Sequence, residues 1–405
     1  MFSILKWITF TALICLICAC AANTLKVNPG QFPLKLVDSR TLKEKAPVDV
    51  GIYISKISLE GSYIPKGSKV RVNFGNSLGL AFSDVGSVLF KQAQVTSEKS
   101  ATPIGVALVV TPFWSVENTG VIRLKANYKL VSSDKVLLES SITHDQPHGY
   151  IFTNELYYNT AVRAAQKVLL HVRKIVEANI GDYANTFALI ELSDRMLVDL
   201  KNPSAKLTGM FINKRGDIIT EYDVSKSCLI LEAIVGDKKI ALKPLSNSQV
   251  LDLSLWSSST ETQSYIVLGD ESSLKLGAPL VGVSHQFKDG EITANTMSFA
   301  NISSNQGIKG SYKSILMTTA VKPTSSLVGF YNDKGMVAAF YLGNLNYEWL
   351  EESKLIQPNT YQLLTVEPVK KFLNSGQIPF HEKTKNNNVA LEIANRNLIE
   401  LDCYQ

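Results

Sequence analysis

The feature that most constrains this chain is a change of rhythm near Gly181. Before it, apolar residues recur at both helical and strand spacing. After it, from about Met196 to Phe380, short apolar runs alternate with Gly and Asn/Asp turns and helical periodicity fades. The first texture suits a small unit of helices on a sheet, the second an all-β barrel or sandwich. At 405 residues, 45% of them apolar and 19% charged, the chain can build two folded units. The expected class is α+β.

Within 47–181, "VDVGIYISKISL" reads as a strand. "GNSLGLAFSDVGSVLFKQAQV" sets Leu78, Phe82, Val85, Val88 and Leu89 along one helical face. "IGVALVVTPFWSV", "GVIRLKANYKLV" and "KVLLESSITH" read as strands, the last two joined by a turn at "SSD". A long amphipathic helix follows, with Thr153 as N-cap, Gly181 as stop, and Ala161, Ala165, Val168, Val172 and Val176 as its stripe. His144, His148 and His171 lack the spacing and carboxylate company of a metal site and read as loop or surface residues. Residues 47–181 hold no phosphate loop, CxxC or HExxH, and neither a metal nor a cofactor is expected. A net charge of +5, scattered along the chain, makes nucleic acid an unexpected partner.

The first 24 residues predict export. Lys6, the apolar run Trp7–Ile17 and small residues at the end form the three regions of a secretory signal, too short for a comfortable span. "ICAC" further resembles the bacterial lipobox, which implies cleavage after residue 19 and acylation of Cys20. Several acyl chains hold a protein in a bilayer without a membrane helix. Ala21 at the next position implies an outer-membrane address facing the periplasm, with a soluble periplasmic protein as the alternative. Residues 20–46, with Pro29 and Pro33, read as a tether. Only Cys228 and Cys403 then remain, and the oxidising compartment permits either a disulfide or two buried thiols.

The 182–383 region carries a resemblance. "TGMFINKRGDIITEYDVSKSCLIL" resembles the opening of a trypsin-like domain of the periplasmic heat-shock protease (HtrA-like) kind. Thr220–Val224 fill the family's Thr-Asn-x-His-Val, with Asp223 at the histidine position. "SNSQVLDLSLW" matches the segment of the triad aspartate at Asp252. "LGDESSLKLGAPLVGVSHQFKDG" resembles the stretch that leads on to the nucleophile, with His285 at its Gly-x-Pro turn. "TTAVKPTSSLVGFYNDKGMVAAFYL" aligns Ser326 with the nucleophile and "NDKG" with the hairpin behind it. The resemblance implies a double β-barrel.

The same alignment counts against proteolysis. Serine attack needs a neutral imidazole that takes the hydroxyl proton and returns it to the leaving group. An aspartate, with an ordinary pKa of about 3.9, is a poor substitute. Thr324, Leu327 and Val328 replace glycines of the oxyanion turn, where bulky side chains are expected to fill the groove. His285 and His381 are the other histidines of this region, and neither sits at the strand end that faces the nucleophile in the template. The expectation is a pseudoprotease acting as a binding or scaffold component of an envelope assembly, with unidentified envelope proteins as partners. The alternative is an active serine hydrolase using Ser326 with an unconventional base. No PDZ-like pattern follows the barrel. The tail 384–405 offers Val389, Leu391, Ile393, Leu398 and Leu401 as packing positions, expected to dock on the barrel.

Overall fold

The computed structural model describes residues 44–405 except 64–70, 118–119, 134, 148–152, 180–182, 184–185, 289–290, 324, 326, 344, 383–393 and 395. The predicted leader with Cys20, together with His148, Gly181, Val389, Leu391 and Ile393, therefore lies outside the described residues. The chain divides into two compact units between Leu192 and Ser193.

In the first unit, strand β1 (Ala46–Ile54) leads through helices α1 (Lys56–Glu60) and α2 (Phe74–Leu89) to β2 (Phe90–Thr96). Strands β1 and β2 are parallel, so the chain must cross over between them, and α2 makes the crossing. After β3 (Pro103–Ile104), strands β4 (Val106–Glu117), β5 (Val121–Val131) and β6 (Val136–Pro147) form the expected antiparallel meander. The sheet order is β2-β1-β4-β5-β6. Helix α3 (Asn154–Ala178) starts where Thr153 Oγ1 accepts from the Leu156 N–H at 3.2 Å, and it buries all five stripe residues. Leu78, Phe82, Val85 and Leu89 of α2 lie in the same core, while Val88 stays half-exposed. The unit runs past position 181 because β7 (Phe187–Ala188) pairs with β3 and Leu189 packs with Ile104 over Gly51.

In the second unit, β8 (Ala205–Phe211), β9 (Asp217–Glu221), helix α4 (Asp223–Ser227), β10 (Ile230–Val235), β11 (Lys238–Ala241), β12 (Lys243–Ser248) and β13 (Leu253–Ser257) follow in order. Strand order in their sheet is β11-β10-β20-β8-β9-β13-β12, where β20 (Leu398–Tyr404) comes from the far end of the chain. The edge strands β11 and β12 are consecutive, separated only by Leu242, so covalent continuity curls the sheet into a barrel.

The remaining strands, β14 (Pro279–Lys288), β15 (Glu291–Ser304), β16 (Ser314–Thr319), β17 (Leu327–Tyr331), β18 (Val337–Leu342) and β19 (Thr360–Thr365), close into a second barrel. Helix α5 (Tyr347–Glu352) precedes β19 and α6 (Val366–Ser375) follows it.

Reading round the second barrel gives β14-β15-β16-β19-β18-β17, that is, first, second, third, sixth, fifth, fourth. Counting β20 as first and the β11–β12 run as one strand gives the first barrel the same order. The fold is thus α+β, a small α/β unit followed by a trypsin-like double β-barrel.

The tail is not an appendage. Strand β20 pairs antiparallel with both β8 and β10, and its Leu401, Cys403 and Tyr404 are all buried. Docking on the barrel was expected; occupying an interior place in its sheet was not. Asp402, also buried, is held by Lys239 Nζ at 2.6 Å and by the Tyr404 hydroxyl. A disulfide joins Cys403 to Cys228, just after α4, with Cα atoms 5.3 Å apart.

Two hairpins share one turn chemistry. Asn213 Oδ1 accepts from Arg215 N and Asp217 N, and Asn332 Oδ1 accepts from Lys334 N and Met336 N. Gly216 and Gly335 follow at φ 78° and 71°, a left-handed conformation that suits glycine.

Candidate functional site

The end of β9 and the turn before β13 meet. Tyr222 N donates to the Asp252 carbonyl at 3.1 Å, Leu253 pairs with Glu221, and Asp223 opens α4 at the surface. The structure therefore brings the sequence-predicted positions Asp223 and Asp252 into one charged neighbourhood. Burial lifts the Asp252 carboxyl and the Asp223 charge adds to it, against a lowering backbone contact from Tyr222, giving a pKa of about 6.

A consequence can be measured. Asp252 favours the proton more in the folded than in the unfolded chain, so its contribution to stability is complete below about pH 3.9 and is lost as pH rises through about 6. Asn tolerates the left-handed backbone of Asp252, at φ 55°. Asp252→Asn is expected to stabilise the chain at pH 7.5 by on the order of 1 kcal/mol, solvent screening included, and to give no advantage at pH 3.5. Thermal melts of both proteins across that range test it; an equal gain at the two ends would exclude ionisation as the cause.

Ser326 and Thr324 lie outside the described residues, but their neighbours do not. Ser325 is buried, and its Oγ donates to Thr208 Oγ1 at 2.8 Å. Thr208 Oγ1 lies 3.1 Å from His285 Nδ1. With Ser325 donating, the Thr208 proton is left for Nδ1, which fits a neutral imidazole. Burial depresses the His285 pKa, opposed by the charge of Glu400.

His285 thus differs from its expected place. It lies inside β14 opposite Asn295, only 6% exposed, while Leu276 and Gly277 make the turn before that strand, closed by Ala278 N donating to the Lys275 carbonyl at 2.9 Å. The three side chains tie β8 and β14 to Ser325, just before β17. Ser325 is 2% exposed.

A second correction concerns Leu327 and Val328. They do not fill a groove: both are fully buried at the start of β17, Leu327 in one apolar cluster and Val328 in another. In a strand with both faces covered, successive side chains enter opposite cores. Gly329 is small because Met210 approaches it; a Cβ there would lie 2.7 Å from Met210 Cε.

The other histidines are elsewhere. His381 stacks on Tyr265 with ring centroids 4.6 Å apart. His171 Nδ1 is 2.6 Å from the Tyr128 hydroxyl. His144 is half-buried, and burial, Lys167 and Arg163 lower its pKa. Among the described residues no group of three or more His, Cys, Asp or Glu could hold a metal.

No protein-family model matches this chain, and no curated protein does. Among solved structures it is similar to "HtrA-type protease AlgW with decapeptide", at 11% identity, TM-score 0.34, over 42% of this chain and 50% of that one. The match spans half the length of that structure. The fold assignment stands on the strand order of the two sheets and the closure of the second rather than on that likeness.

Proposed function

We propose that this chain is a catalytically silent trypsin-like protein, working as a binding or scaffold component of a cell-envelope assembly. The observation that carries the reading is that Asp223 and Asp252 share one charged neighbourhood where the resemblance would put a histidine and its aspartate. Two carboxylates lack the neutral imidazole that would take a serine proton near pH 7. His285, the alternative base weighed from the sequence, is enclosed in β14 and engaged by Thr208, which also argues for silence. A double barrel without chemistry remains a rigid platform for recognition by strand addition or by its loops. Acylated Cys20 would hold it on the outer membrane, facing the periplasm.

Asp223→His alone is expected to restore no cleavage of casein, because the residues of the oxyanion turn differ as well. Casein cleavage by that variant would overturn the reading. Cys20→Ser is expected to move the protein from the membrane fraction to the soluble periplasmic fraction; unchanged membrane association would remove the lipid anchor from the account.

A further inference from the structure

Strand β15 is longer than the barrel needs. Glu291–Asn301 pairs with β14, but β16 covers only the last part of the strand, from Ala300 to Ser304. Along Glu291–Phe299 the other edge has no backbone partner among the described residues. Free strand edges are templates for pairing, and proteins usually blunt them with charge, proline or a cover. One β-bulge, at Thr293, interrupts this edge near its start, and beyond it the edge is not blunted. From Ile292 to Ser304 the sequence "ITANTMSFANISS" has no charged residue and no proline. Met297 and Phe299 are 48% and 67% exposed on one face of it, and Val321, just past β16, is 62% exposed.

The edge is also held in place. Lys206 Nζ binds Glu291 Oε2 at 2.7 Å at the hairpin end and Glu400 Oε1 at 2.9 Å, and Ser284 Oγ meets Thr296 Oγ1 across the ribbon. An ordered edge spares a partner the cost of arranging it.

We propose that Ile292–Phe299 is a docking edge for an extended segment of a partner protein, which adds as a strand and sets apolar side chains against Met297 and Phe299. The inference deepens the binding role proposed above and rests on it. Unsatisfied N–H and C=O groups in a row fit an extended backbone and no helix or compact surface. A second copy of this chain fits poorly. Across a two-fold axis normal to the sheet, residues of equal parity face one another, so the longer registers set Met297 or Phe299 against Thr293 or Asn295. The register that sets Met297 against Phe299 leaves only 297–299 to pair before Ala300 is taken by β16.

The test uses the full mature chain, a phage-displayed library of random dodecapeptides, and fluorescein-labelled synthetic copies of the peptides selected. The expected result is a set of peptides with alternating apolar residues. Their binding slows amide hydrogen exchange at 292–299 and weakens at least tenfold in Met297→Lys/Phe299→Lys. Trp349→Lys, an exposed aromatic on α5, controls for general stickiness and should bind as the parent does. Protection elsewhere would overturn the edge while leaving a binding role standing. Failure to select any peptide would also overturn it, and so would a parent chain that sediments as a dimer which the lysine variant dissolves. Catalytic silence is decided separately, by the active-site labelling below.

Discussion

A chain ending at Asn397 is expected to lose the cooperative folding of its second unit. Removing β20 takes Leu398, Ile399, Leu401, Cys403 and Tyr404 out of the barrel and frees the facing edges of β8 and β10. Deleting one large buried side chain costs about 2–5 kcal/mol, and a domain has only about 5–15 kcal/mol in hand. Several such losses together exceed that margin. Lys239 would also lose Asp402 as its partner. Near-UV circular dichroism and limited trypsin digestion read the outcome: loss of the aromatic signal and cleavage within 205–380. A truncated chain that resists trypsin there and melts as before would show that β20 is dispensable.

The second large effect concerns the disulfide. It closes a loop across 175 residues, for which the chain-entropy model gives about 5 kcal/mol, and native disulfides commonly contribute about 2–5 kcal/mol. Cys403→Ala is expected to lower the melting temperature of the second unit by roughly 5–20 °C, at about 2–4 °C per kcal/mol for a unit of this size. A reductant should reproduce most of that shift in the parent and none in the variant. The two effects converge on one element: β20 follows the strands of both barrels in sequence, and the bond fastens it beside α4. Scanning calorimetry with and without reductant distinguishes this from a bond that merely decorates the surface, which would leave the transition unmoved.

What could be read from the sequence was mostly local. The stripe of α3 and its Thr153 cap repeat over a few turns, and the meander β4–β5–β6 is joined by short connections, so neighbours in sequence are neighbours in space. The Asn-and-Gly turns at Asn213 and Asn332 announce their hairpins for the same reason. Strand β20 was visible as an apolar segment, but its two partners lie far up the chain, and nothing local specifies them. The Ser325–Thr208–His285 chain joins residues 117 and 77 positions apart. The one signal for it was polar side chains, Thr208 and His285, inside otherwise apolar strand patterns. Leu327 and Val328 were misplaced because the template reads them as part of a turn, whereas here β17 has already begun.

Asp223 and Asp252 come together although the sequence shows only motifs in the same order as in the family it resembles. Strand order explains why: the turn after β9 and the turn before β13 converge through the pairing of those two strands, whatever side chains they carry.

The most direct measurement is labelling of the folded, disulfide-bonded protein with a fluorophosphonate probe at pH 7 to 8, with an active trypsin-like protease as positive control. Catalytic silence predicts no label on the parent chain. A label that appears on the parent and vanishes in Ser326→Ala would contradict it and establish an active serine hydrolase with an unconventional base.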